Sequence, residues 1–128
     1  FSMPYVQQSF EEVNNDDFVI CYHNCGKAAG DMLDMISEFS ADIIHLGNAI
    51  DLRKALEVLP SDKVVMGNVN PVLFRTGEPS DIKNEVQRIF DECSSYKNFM
   101  ISTGCDVPAA SEWENINAYF EKVNELYV

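Results

Sequence analysis

Basic residues are scarce in this 128-residue chain: 9 Lys and Arg stand against 21 Asp and Glu, for a formal net charge of −12. Phosphate neutralisation needs clustered Lys and Arg, so the deficit argues against a nucleic-acid partner. It also disfavours an anionic membrane surface. No apolar run approaches the roughly 20 residues of a membrane span, and no signal-peptide pattern stands at the start. Cysteine is too sparse for a disulfide scaffold. Four residues (Cys21, Cys25, Cys93, Cys105) sit in a chain that is 46% apolar and well able to form a core. Reduced thiols in a cytoplasmic protein are the expectation. C-x-x-C pairs, a G-x-G core and linker-like or low-complexity tracts are missing too. One domain over residues 1–128 follows.

What is present is alternation. Residues 3–13 read as a helix. "DFVICYH" (17–23) is short, β-branched and aromatic, as buried strands are. "AAGDMLDMISEF" follows as a helix. "ADIIHLG" (41–47) and "KVVMGN" (63–68) are further strands, separated by a helix with Leu52, Leu56 and Leu59 on one stripe. After the longer loop "VNPVLFRTGEPS", a helix carries Ile82, Val86, Ile89, Phe90 and Cys93 on its apolar side. "FMISTGC" (99–105) is the fourth strand. The last helix places Trp113, Ile116, Phe120, Val123 and Tyr127 on its expected inner face, with Ser111 and Glu114 as an N-terminal capping box. Cys21 and Cys93 read as core packing.

Strands that are apolar throughout and alternate with helices make a parallel sheet covered by helices. A doubly wound sheet would carry a glycine fingerprint after its first strand, and "HNCGKAAG" lacks one. A βα barrel predicts polar groups at every C-terminal strand end. The ends read His23-Asn24-Cys25-Gly26, His45-Leu46-Gly47-Asn48, Gly67-Asn68-Val69-Asn70-Pro71 and Thr103-Gly104-Cys105-Asp106. The barrel reading fits better: α/β, with four consecutive βα units.

His23 and Cys25 leave the first strand at alternate positions and point the same way. Cys105 leaves the fourth strand at the same level. One imidazole and two thiolates suit zinc with an open fourth position. The spacing equally allows Cys25 and Cys105 to be small buried hydrophobes and His23 a hydrogen-bonded core residue. His45 stands open between orienting a ligand and a structural place. Asn48, Asn68 and Asn70 stand open between bonding substrate and satisfying loop backbone. Asp106 is a partner for a metal ligand or a turn cap. Lys27 reads as a solvated lysine by default.

"HNCG", "HLGNAID", "VVMGNVNPVLFRTGEPSDI" and "ISTGCDVPAASEWENINAY", in this order, resemble the uroporphyrinogen decarboxylase superfamily over nearly the whole chain. The resemblance implies the C-terminal half of a (β/α)8 TIM barrel. It also implies one of two chemistries. Decarboxylases of porphyrin biosynthesis, lyases without metal, typically show histidine where this chain has Cys105. Cobamide-dependent methyltransferases hold zinc through an H-x-C pair and a distant cysteine, which His23, Cys25 and Cys105 match. The closer branch implies Zn²⁺, a methylcobamide on a partner corrinoid protein, and a small thiol acceptor. That acceptor is coenzyme M in methanogen relatives. His45, Asn48, Asn68 and Asn70 are then the candidate substrate-binding residues. Half a barrel leaves open sheet edges, so self-association, or trimming from a longer protein, is expected of this segment. In isolation it is expected to be inactive.

Overall fold

A computed structural model of the chain describes residues 2–13, 15 and 17–127. Four strands, β1 (Cys21–Asn24), β2 (Ile43–Leu46), β3 (Val64–Val69) and β4 (Phe99–Thr103), form one sheet. Every neighbouring pair is parallel and the order is β1-β2-β3-β4. Strand order follows chain order without reversal. Right-handed crossovers therefore carry every connecting helix to the same side of the sheet. A doubly wound sheet requires a reversal, and none occurs among the described strands.

Alternation along the strands sorts the residues. Ile44, Leu46, Val65 and Ile101 are buried beneath the helices. Cys21, His23, His45, Met66 and Met100 are exposed or half-exposed on the other face. Cys21 was expected in the core; it is exposed, because it belongs to the face that the helices do not cover. Cys93 is buried as expected.

Helix α1 (Met3–Val13) closes one end of the sheet. Its Phe10 meets Tyr22 and Phe39 edge-on, at centroid distances of 6.3 and 5.7 Å. The Gln7 side chain donates to Ser40 Oγ and accepts from the Ser40 backbone N–H. The first strand is shorter than expected. The Ile20 carbonyl still accepts from the Asp42 and Ile43 N–H groups, but its own N–H donates to the Asp42 carboxylate at 2.8 Å, so a side chain takes the place of the next ladder bond. The helix expected over "AAGDMLDMISEF" is broken in two: a 3₁₀ segment (Lys27–Met32), then α2 (Leu33–Ser37). Gly30, a poor helix residue, lies inside the 3₁₀ part.

Helix α3 (Leu52–Val58) is capped by Asp51, whose carboxylate accepts from the Lys54 N–H at 3.0 Å. It buries Leu52 and Leu56, with Leu59 just beyond its end, as the stripe predicted. The longer loop contains a helical turn, α4 (Leu73–Thr76), before α5 (Pro79–Cys93). Pro79 suits the first turn of α5, and Asp81 accepts from the Glu78 N–H at 2.8 Å. Ile82, Val86, Ile89 and Cys93 are its buried side.

Helix α6 (Trp113–Tyr127) corrects two expectations. Ser111 Oγ is buried without a hydrogen-bond partner, so the proposed capping box does not form. Ile116 and Val123 pack half-buried against the core as expected, but Trp113, Phe120 and Tyr127 are exposed, and the fully buried positions are Asn115 and Ala118. The Asn115 amide sets this rotation by donating to Phe74 O and Gly77 O at 3.1 and 2.8 Å. An amide committed to two inward carbonyls turns its own side of the helix inward. Ala118 is buried with it, and α6 packs against α5.

Asn115→Ala leaves two carbonyls unpaired and is expected to cost about 2 kcal/mol of stability. Trp113→Ser is expected to stay within about 0.5 kcal/mol. Urea unfolding of both variants checks the assignment, and a larger loss at Trp113 contradicts it.

Candidate metal centre

The sheet's C-terminal edge brings distant residues together because two glycines let loops touch. A Cβ added at Gly47 would lie 2.6 Å from Cys25 Cα. One added at Gly104 would lie 2.5 Å from the Asn48 backbone nitrogen. No side chain fits either gap, so only glycine allows the β1, β2 and β4 ends to converge at these points. Asn68 braces the middle loop: its buried amide donates to Gly47 O at 3.0 Å and to Ile50 O at 2.7 Å.

The convergence gathers His23, Cys25 and Cys105. One ligand atom from each lies within 4.8 Å of the other two. Zinc–sulfur and zinc–nitrogen bonds of ordinary length place tetrahedral donor atoms roughly 3.5–3.8 Å apart. Small rotations close that difference. A borderline-soft divalent cation therefore fits the donor set, with three protein ligands and one position left over. Among the described residues this is the one His/Cys/Asp/Glu cluster of ligating geometry.

The Cys25 thiol is held above its ordinary value, mainly by its hydrogen bond with Cys105 and by the charge of that thiol; Asp106 adds to the same direction. A thiol whose ionisation is opposed by its neighbour benefits from a cation that takes both as thiolates. Burial pushes the Cys93 thiol up to about 11, in keeping with an inert core position.

The other candidates separate. The His45 ring lies beside His23, at a centroid distance of 4.4 Å. Its Nε2 is 2.7 Å from Thr103 O. Asn48 is exposed and lines a polar cavity of about 180 Å³ with Asn68, Asp51 and Arg88. Both Asn68 amide hydrogens are engaged within the fold, and Asn70 Oδ1 accepts from the Val72 N–H at 3.0 Å in the following turn. Lys27 and Asp106 are exposed. The sequence reading missed the contacts of Gly47 and Gly104. It also missed the pairing of His23 with His45, for which a signal existed: the histidines stand third in "CYHN" and "IIHL", which pair in register.

The family description "Uroporphyrinogen decarboxylase (URO-D)" matches residues 1–126. The chain belongs to the uroporphyrinogen decarboxylase family. Curated relatives named uroporphyrinogen decarboxylase include one from Geotalea uraniireducens, 31% identical over 98% of this chain and 36% of its own length. One from Pelobacter propionicus is 32% identical over 78% of this chain and 29% of its own length. The chain thus spans about a third of the length of these family members. Among solved structures, a methyltransferase from Methanosarcina mazei superposes with a TM-score of 0.83 at 22% identity. That match covers 100% of this chain and 36% of the methyltransferase. The shared fold is a four-unit part of a TIM barrel, and the four sequential parallel units described above are that half-barrel.

In metal-free protein, Cys105→Ala is expected to lower the Cys25 pKa towards the ordinary thiol range and so to speed Cys25 alkylation at pH 8. Gly104→Ala, which forces the β4 loop away from Asn48, is expected to act in the same direction. Site-resolved alkylation rates across pH 7–10 check this, and an unchanged Cys25 rate in both variants contradicts the coupling.

Proposed function

We propose that the intact protein containing this segment is a zinc-dependent methyltransferase, moving a methyl group from a methylated corrinoid protein to a small thiol acceptor. The observation carrying the reading is the convergence of one imidazole and two thiols within 4.8 Å at the strand ends. The metal-free decarboxylase reading leaves such a set without a role.

Zinc held there would supply a Lewis-acid position at which an acceptor thiol is deprotonated at neutral pH. His23, Cys25 and Cys105 would be its protein ligands. Cys25 and Cys105 each bring one negative charge as thiolates and His23 brings none, so the protein contributes a set that balances a dication. The three donors gather at the C-terminal ends of the strands, and a fourth position on the ion would be left for the acceptor. Asn48 stands exposed at the same rim and is the best placed of the strand-end asparagines to contact an acceptor. Asn68 acts indirectly, by holding the loop that carries Gly47 and Asn48.

The second reading is decarboxylation of a porphyrinogen without metal. It is favoured by the curated relatives that bear that name, such as the one from Geotalea uraniireducens. Cys105 separates the two readings, because only the first assigns its sulfur a role.

Purified without chelator, the intact protein is expected to contain one zinc per chain. Cys105→Ser is expected to lower zinc occupancy well below one per chain and to abolish methyl transfer from methylcobalamin to a panel of thiols. A metal-free protein whose activity is indifferent to that substitution supports the decarboxylase reading instead.

A further inference from the structure

Resting on the metal reading above, we propose that His45 is a positioning residue of that centre. It clamps the imidazole donor of β1 to the end of β4 that delivers Cys105, and so sets how tightly the three donors hold a divalent ion.

His23 and His45 are register partners across β1 and β2. Their ring centroids are 4.4 Å apart and their planes meet at 42°. One side of the His23 imidazole therefore rests against another ring. Among the described residues no hydrogen bond holds that imidazole, and the side chain is exposed. The outer torsion of histidine is broad, so without His45 the ring has little to fix its rotation.

His45 itself is fixed. Its Nε2 lies 2.7 Å from Thr103 O. A carbonyl oxygen only accepts, so Nε2 carries a proton and is the donor in this bond. This bond passes over β3, joining β2 to the last residue of β4. Thr103 extends the link, for its Oγ1 donates to Cys105 O at 2.8 Å. A continuous set of side-chain contacts thus runs from His23 through His45 and Thr103 to Cys105. It is separate from the backbone ladder, and it ties the donor from the first strand to the donor from the fourth. Partners that orient a metal-binding histidine commonly change affinity by about 10–100-fold when removed. Here the orienting group meets the donor through a ring face, and its own anchor lies one residue further on.

The test uses the intact protein with zinc affinity from chelator competition and with cobalt(II) as a spectroscopic replacement. His45→Phe keeps a flat ring against His23 and loses the donor to Thr103. His45→Gln keeps an N–H donor and loses the ring. Both are expected to weaken zinc by about tenfold or more, and His45→Phe is expected to shift the ligand-field bands of bound cobalt. Unchanged affinity and an unchanged cobalt spectrum in His45→Phe overturn the clamp alone. A wild-type protein that takes up neither ion overturns the metal reading, and the clamp with it. If both variants fail to fold, imidazole ¹⁵N shifts of the metal-free wild type decide. The clamp requires the Nε2–H form with a slowly exchanging proton, and an Nδ1–H form overturns it.

Discussion

Two backbone contacts, Gly47 on Cys25 and Gly104 on Asn48, govern the chemistry of this chain. The first joins the loops after neighbouring strands β1 and β2, the second those after β2 and β4 across β3, each closer than any side chain permits. Without them the parallel ladder alone sets strand spacing at roughly 4.8 Å per step. The first and fourth strands would then stand some three steps apart, too far for a shared ligand set. Convergence at the strand ends shortens that path, and the buried amide of Asn68 keeps the middle loop from relaxing outward. The site is thus a property of loop packing laid over an ordinary sheet.

The same sheet divides labour between its faces. Beneath the helices lie Ile44, Leu46, Val65 and Ile101, which supply the apolar burial that holds the units together. On the opposite face lie His23, His45, Met66 and Met100, which contribute little to that core and are available for other work. Polar groups inside the covered side have fixed structural tasks: Asn115 turns α6, and Asn68 braces a loop. Polar groups at the open rim, such as Asn48, do not. This contrast explains why asparagines of similar sequence context hold different positions in the chemistry.

Much of this was legible in the residues. Periodicity located all four strands and the buried stripes of α3 and α5, because both signals depend on local spacing. The convergence of His23, Cys25 and Cys105 was legible from residue type and strand-end position, and the family motifs pointed to the same trio. The failures share a cause. The inner side of α6, the absent cap at Ser111 and the exposure of Cys21 all depend on which neighbours arrive from elsewhere in the chain. A stripe containing Trp113, Phe120 and Tyr127 looks core-like by composition, yet two hydrogen bonds from Asn115 turn the helix otherwise. Glycine contacts are invisible to pattern reading because the informative atom is the one that is missing.

Sequential strand order has a consequence for assembly. Each βα unit meets its successor across a short stretch of chain, so most of the sheet closes small loops at modest entropic cost. Residues 25 and 105 are separated by 80 positions and meet only when every intervening unit is in place. The gathering of these donors at the rim is therefore a readout of complete docking: a chain whose last unit has peeled away keeps most of its helices and strands and loses the cluster.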